Sequence, residues 1–338
     1  MSENVLEIKH LRTSFFTNGK EVRASDDLSY SVKKGECVAI IGESGSGKSV
    51  SALSILQLIP YPPGLVLSGK VMYEGKNLLE CSADELEKIR GAKISMIFQE
   101  ASAALNPVIT IGKQICEALL NHNPGMSKKD ANKRAIELLE MVGIPNADRR
   151  VKQYPFEFSG GMQQRAMIAM AMSCEPDILI ADEPTTALDV TVQAQVLEQL
   201  NKLREEHNMA LILITHNLGV VARYADSVKI MYGGSIVEEG SAIDIFKDPC
   251  HPYTIGLIRA VPRLDKPKSW GLHEIQGESP DMSKIKPNTC AFYDRCEYAS
   301  EECLASRPRL TNVGGENGEH FCACHHIDKV KENRGDLG

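Results

Sequence analysis

No stretch of the chain approaches the ~20 consecutive apolar residues that a membrane-spanning helix requires. The best apolar runs, Val38–Ile41 and Ala210–Ile214, are only strand-sized, and Met1–Leu11 has no signal-peptide pattern. The expectation is therefore a soluble chain that stays in the cytoplasm. Positive charge is not in excess: 38 Lys and Arg stand against 45 Asp and Glu, a formal net charge of −7. That balance disfavours a general nucleic-acid coat. Aromatics are sparse at 5%, and there is no internal repeat and no low-complexity tract. What is present, 43% hydrophobic and 25% charged residues, can bury a sizeable core and argues against wholesale disorder. At 338 residues the chain exceeds one ordinary domain, so a main domain with an appendage is expected. Ten cysteines in a cytoplasmic chain do not read as disulfides. Cys37, Cys81, Cys116, Cys174 and Cys250 are scattered and read as small buried hydrophobes, whereas five more fall between Cys290 and Cys324.

Periodicity gives the outline. Leu6–Phe16 and Leu28–Val32 read as strands joined by the turn-forming Asn18-Gly19, and Cys37–Ile41 as a third strand running into the glycine-rich Gly42–Ser49. Val50–Leu58 carries apolar residues at helical spacing. Ser127 opens a helix with Ala131, Ala135, Leu138, Leu139 and Val142 on its apolar face, closed by Gly143. Met162–Met172 and Val190–Leu203 are further helices; Ile178–Ala181 and Leu211–Thr215 are short buried strands. Alternating strands and helices imply a largely parallel sheet covered on both faces. Past about Asp265 the pattern stops: Ser269–Asn288 reads as a linker, the cysteine segment follows, and Lys329–Gly338 reads as a frayed polar tail.

Three motifs carry chemistry. Gly42-Glu43-Ser44-Gly45-Ser46-Gly47-Lys48-Ser49 fits G-x-x-x-x-G-K-[ST] between a strand and a helix. Its glycines let the backbone wrap phosphates with inward N–H groups, Lys48 brings a positive charge to the outer phosphates, and the Ser49 hydroxyl can ligate Mg²⁺. Ile178–Ala181 ends in Asp182-Glu183. After a phosphate loop, such a pair reads as a Mg²⁺ holder followed by a base for the attacking water, although alone it would be a solvated strand end. Phe158-Ser159-Gly160-Gly161-Met162 offers an N-cap serine and exposed first amides, a second anion-binding helix start.

Taken in order, the phosphate loop, Gln99 in Ile97-Phe98-Gln99, the Ser-Gly-Gly run, Asp182-Glu183, Ala187-Leu188-Asp189 and Thr215-His216 resemble the nucleotide-binding subunit of an ABC transporter. The resemblance implies an α/β P-loop NTPase fold: a mixed, largely parallel sheet, a helical subdomain at about 100–172, and a small irregular C-terminal extension. It implies an ATPase domain over 1–264, an extension over 265–328 and a tail over 329–338. It assigns Glu183, His216 and Gln99 to catalysis, and Gly42 to Ser49 with Val50 to ATP, with Phe16 as the adenine-stacking aromatic. Ser49, Gln99 and Asp182 are assigned to Mg²⁺. Ser159, Gly160, Gly161, Met162 and Asp189 then complete the ATP site of an opposite subunit, so one chain alone should hydrolyse poorly. Asp189 doubles as an N-cap for Val190–Leu203. A narrower likeness lies in Ala104-Leu105-Asn106-Pro107-Val108, Thr110-Ile111-Gly112, Phe158–Met162, Ala181–Val190 and His251-Pro252-Tyr253-Thr254, which are similar to the peptide-importer branch. Ala101 stands where that branch often has Pro, and Met162 where the general signature has Gln.

The cysteines are spaced Cys290-x5-Cys296-x6-Cys303, then twenty residues to Cys324, with Cys322 just before it. Thiolates suit iron–sulfur or zinc, and these gaps are wider than those of most structural zinc sites. The peptide-importer resemblance implies that Cys290, Cys296, Cys303 and Cys324 form the set, with a 4Fe-4S cluster, zinc aided by His320 and His325, or free thiols as the alternatives. The function implied is ATP-driven import of di- or oligopeptides as a translocase subunit peripheral to the cytoplasmic membrane face. Its partners are two permease subunits, a second and non-identical ATPase, and an extracytoplasmic solute-binding protein, with no nucleic acid. A nickel or other small-solute importer of the same branch is the alternative. A soluble ABC ATPase acting on DNA or the ribosome is disfavoured by the single domain and by the lack of sustained heptads between phosphate loop and signature. A metal-sensing module in which the tail is primary is disfavoured by the intact ATPase motifs.

Overall fold

The computed structural model describes residues 4–17, 19–186, 188–262 and 274–335. The strands in chain order are β1 (Asn4–Thr17), β2 (Lys20–Lys33), β3 (Cys37–Ile41), β4 (Gly64–Tyr73), β5 (Lys76–Asn77), β6 (Ile94–Ile97), β7 (Ile178–Asp182), β8 (Ala210–Ile214), β9 (Ser227–Tyr232), β10 (Ser235–Ser241), β11 (Thr311–Gly314) and β12 (His320–Cys322). The chain forms two compact units. One holds residues 4–6, 32–36 and 73–214; the other holds 7–31, 37–72 and 215–335.

The first unit is built on a parallel ladder, β6 beside β7 beside β8, with Ile94 opposite Ile178 and Ile178 opposite Ala210. All residues of these three strands are buried. Parallel strands covered on both faces need such uninterrupted apolar runs. Each fully buried Ile or Leu contributes roughly 1.5–3 kcal/mol. The helices Ile111–His122, Lys128–Met141 and Gly160–Ala171 pack against one another, and the last also packs on β6. Their starts are local chemistry: Ser127 Oγ accepts from Asp130 N at 3.2 Å, and Ser159 Oγ accepts from Met162 N at 3.4 Å. Gly143, at φ +74°, follows the second helix in the left-handed conformation that ends helices.

In the second unit β1 lies between β2 and β4. Separately, β3 pairs with β9 in parallel, after which the pairing turns antiparallel: β9 with β10, β10 with β12, β12 with β11. The sheet is therefore mixed. The cysteine segment is integrated here and is not a loose appendage. Phe292 belongs to the core formed by Ala39, Ile41, Val228, Ile230, Tyr232 and Tyr253, and Cys290 and Cys296 pack against it. Glu238 on β10, fully buried, accepts hydrogen bonds from Cys250 N (2.6 Å), His251 N (2.9 Å) and His320 Nε2 (2.8 Å). One carboxylate thus ties β12 and the 250–251 segment to β10.

Several expectations change. The strand expected at Leu28–Val32 is the end of a strand beginning at Lys20, and the helix expected at Val50–Leu58 runs Lys48–Ile55. Residues 329–335 do not fray: Ile327–Asn333 is a helix, Val330 is buried, and Lys331 and Arg334 both pair with Asp248. Of the scattered cysteines only Cys37 and Cys250 are buried; Cys81, Cys116 and Cys174 are half-buried, and none of the ten is in a disulfide. Asn18 of the expected turn, Ala187, and residues 269–273 of the expected linker lie outside the described residues.

Candidate functional site

The phosphate loop follows β3 and leads into the helix Lys48–Ile55, in the second unit. Its glycines are dictated by space as well as by φ. A Cβ on Gly42 would lie 2.3 Å from Met231 O, and one on Gly47, at φ +99°, would lie 2.0 Å from Ala24 O. Lys48 is buried, and its Nζ donates to Gly42 O at 2.7 Å and Glu43 O at 2.9 Å, folding the ammonium over its own loop. Ser46 Oγ is buried with no hydrogen-bond partner among the described residues, which fits a loop made to receive oxygens. Ser49 is the second residue of that helix, and Val50 the third. His216 lies one residue past Thr215, whose N–H donates to Ile40 O at 3.3 Å beside the strand that feeds the loop. Phe16 stands at the end of β1, 49% exposed.

Gln99, the Ser159–Met162 run, Asp182, Glu183 and Asp189 belong to the first unit. Asp182 ends β7 and is buried. Glu183 sits at φ +45°, its N–H bonded to Ile214 O at 2.9 Å. Gln99 Nε2 donates to Glu183 Oε2 at 3.1 Å, and Thr186 Oγ1 donates to the same oxygen at 2.8 Å. Two residues 84 apart in sequence are thereby brought into direct contact. Asp189 caps the helix Val190–His207, accepting from Thr191 N (3.1 Å) and Val192 N (3.0 Å). Ser159 caps its own helix, and Gly160 has open space where a Cβ would stand. Thr186 falls within the branch-like run Ala181–Val190, but nothing in the sequence gives it a role.

Of the five clustered cysteines, Cys290, Cys296, Cys303 and Cys324 feel one another electrostatically, and Cys290 N donates to Cys303 O at 2.8 Å. Burial pushes the Cys296 thiol up to about 12 and the Cys324 thiol up to about 11. Cys322 faces Glu238 and Cys250 as well as Cys324. Among the described residues, the one group of three or more His, Cys, Asp or Glu donors within 4.8 Å of one another is Glu238, Cys250 and His320. No three of the four thiols meet that spacing. A tetrahedral zinc at about 2.3 Å from each sulfur needs them closer than this, whereas a four-iron cube takes one thiolate per iron and spreads them. The histidines do not join the thiols: His320 is turned to Glu238, and His325 Nε2 contacts Ser306 O at 3.0 Å.

Residues 25–186 match the family model described as ABC transporter, and residues 237–303 match the C-terminal region of oligopeptide/dipeptide transporters. The oligopeptide transport ATP-binding protein OppD of Bacillus subtilis is 48% identical over 309 residues, covering 91% of this chain and 86% of that one. The dipeptide transport ATP-binding protein DppD of the same organism is 51% identical over 309 residues, covering 91% of each. Among solved structures, the dimeric, post-hydrolysis ATP-binding cassette MJ0796 bound to ADP and Pi is similar at TM-score 0.64 and 30% identity, over 70% of this chain and 98% of that one. The chain belongs to the ATP-binding subunits of ABC transporters, in the branch that carries the oligopeptide/dipeptide C-terminal region.

Proposed function

We propose that this chain is the ATPase that powers import of di- or oligopeptides through an ABC transporter. The observation that carries the reading is the phosphate loop, with its buried lysine folded over two loop carbonyls and its unpaired buried Ser46 hydroxyl. The loop amides and Lys48 bind the phosphates. Ser49, Asp182 and Gln99 would hold Mg²⁺, which would supply positive charge to the phosphates. Glu183 orients and deprotonates the attacking water, its carboxylate aimed by Gln99 and Thr186. His216 contacts the outermost phosphate, Val50 adds to the ATP contacts from the first turn of the helix after the loop, and Phe16 stacks on the adenine. Ser159 to Met162 and Asp189 of a second ATPase subunit close the site, so binding energy from two chains positions the reactants.

No helix among the described residues is long and apolar enough to cross a membrane. In the proposed assembly two permease subunits supply the channel, an extracytoplasmic binding protein delivers the solute, and this chain is peripheral on the cytoplasmic face. The exposed Val108, and Tyr154 stacked on Phe156 at 5.5 Å, give the first unit apolar surface for such a partner. The ATPase portion spans 1–264 and the extension 265–328, in which Cys290, Cys296, Cys303 and Cys324 hold a 4Fe-4S cluster.

Replacing Lys48 by Ala removes the ammonium but leaves the loop glycines. Affinity for a non-hydrolysable ATP analogue, measured by calorimetry, is expected to fall at least about tenfold. Unchanged affinity would mean that the loop does not hold phosphates. Uptake of labelled peptides by reconstituted transporter, lost in the same variant, tests the substrate class; uptake of nickel alone would reassign it.

A further inference from the structure

Glu43, the second residue of the phosphate loop, is an acid in a cradle meant for anions. The structure shows what neutralises it. Arg295 Nη1 donates to Glu43 Oε2 at 2.7 Å and Nη2 to Glu43 Oε1 at 3.1 Å, a forked pair with the arginine side chain only 7% exposed. Ser279 Oγ adds a bond to Glu43 Oε2 at 3.0 Å, and Tyr253 OH accepts from Glu43 N at 2.8 Å. The arginine is itself fixed. Nε donates to Gln276 O (2.9 Å), Nη2 to Ile275 O (3.3 Å), and Nη1 to Tyr232 OH (3.4 Å). Its guanidinium carbon lies 5.9 Å from the ring centre of Tyr232 and 6.0 Å from that of Phe292. Every nitrogen of the fork has an acceptor, and four of the groups holding Glu43 or Arg295 (Ile275, Gln276, Ser279 and Arg295 itself) come from the C-terminal segment.

We infer that Arg295 is a positioning residue for nucleotide binding: the C-terminal segment clasps the phosphate loop through Glu43, cancelling its charge and fixing the loop's first turn. The inference rests on reading 42–49 as the nucleotide loop. Arg295 touches no nucleotide in this scheme; it acts through Glu43. It also directly precedes Cys296, so the segment that carries the thiols is the one that holds the loop.

A double-mutant cycle on the full-length chain tests this, using a non-hydrolysable ATP analogue with Mg²⁺ and reading the dissociation constant by calorimetry. In the Glu43 background, Arg295→Ala leaves an uncompensated carboxylate on the phosphate loop and is expected to weaken binding of the anionic analogue on the order of tenfold. In the Glu43→Gln background the same change is expected to cost less than about threefold, because the charge it neutralised is gone. Arg295→Lys keeps the charge but loses the fork; it is expected to weaken binding severalfold beside Glu43 and not beside Gln, and it serves where the alanine variant does not fold. Equal losses in both backgrounds would overturn the inference, since a purely structural arginine is not rescued by Glu43→Gln. No loss beside Glu43 would overturn it too. A wild-type chain that does not bind the analogue overturns the nucleotide reading itself, a different and recognisable failure.

Discussion

Glu183 occupies a left-handed backbone conformation at φ +45°. For a residue with a Cβ this costs on the order of 1–3 kcal/mol and persists only where neighbours hold it. Here the Ile214 carbonyl holds its N–H, and Gln99 and Thr186 hold its carboxylate. In the proposed mechanism this geometry would aim the base. Glu183→Gln keeps the size and one oxygen but removes the proton acceptor. Hydrolysis by the assembled ATPase pair is expected to fall at least ~100-fold, with ATP affinity retained. Phosphate release and nucleotide binding measured side by side check this; undiminished release would remove Glu183 from the role of base. Its place after a four-residue apolar strand made the residue legible in the sequence. Its backbone strain and its Thr186 partner were not, because both arise from the turn after β7, where no repeating pattern exists to be read.

At the scale of elements, legibility followed uniform burial. The strands β3, β7 and β8 are apolar at nearly every position, so a single-sequence reading places them within a residue or two. In contrast, β12 is three residues long, and its existence depends on Glu238 facing Cys322 across more than eighty residues of chain. Non-local pairing of that kind leaves no local period. The same buried carboxylate bears on the helix Pro252–Arg259, whose N-cap is His251: its Nδ1 accepts from Tyr253 N at 3.1 Å. Burial lowers the His251 pKa to about 4, against a smaller opposing pull from Glu238. An unfolded histidine titrates near 6.5, so between these values the unfolded chain binds the extra proton and stability falls as pH falls. Urea unfolding at pH 7.5 and pH 5 is expected to show a loss to which His251 contributes on the order of 2 kcal/mol. His251→Asn keeps a cap acceptor without a titrating ring, and should lose correspondingly less. Equal losses in the two proteins would show that His251 does not stay neutral in the fold.

Across the whole molecule, the cysteine segment and the phosphate loop belong to one compact unit. Cys290 and Cys296 pack on the core that includes Ala39 and Ile41 of the strand feeding the loop. Whatever the thiols hold is therefore linked to the folding of the nucleotide site, since a metal bound only by the folded state stabilises that state by mass action. Protein prepared without oxygen is expected to carry ~4 iron atoms per chain with a brown visible absorbance, and Cys296→Ser to lose both. Stripping the iron with a chelator is expected to lower the thermal midpoint by several degrees, and saturating ATP analogue to recover part of that shift. Zinc without iron would replace the cluster by another ion. Iron whose removal leaves the midpoint unmoved would place the thiols outside the unit that Arg295 and Phe292 tie together, because a group packed on that core cannot be withdrawn without cost to it.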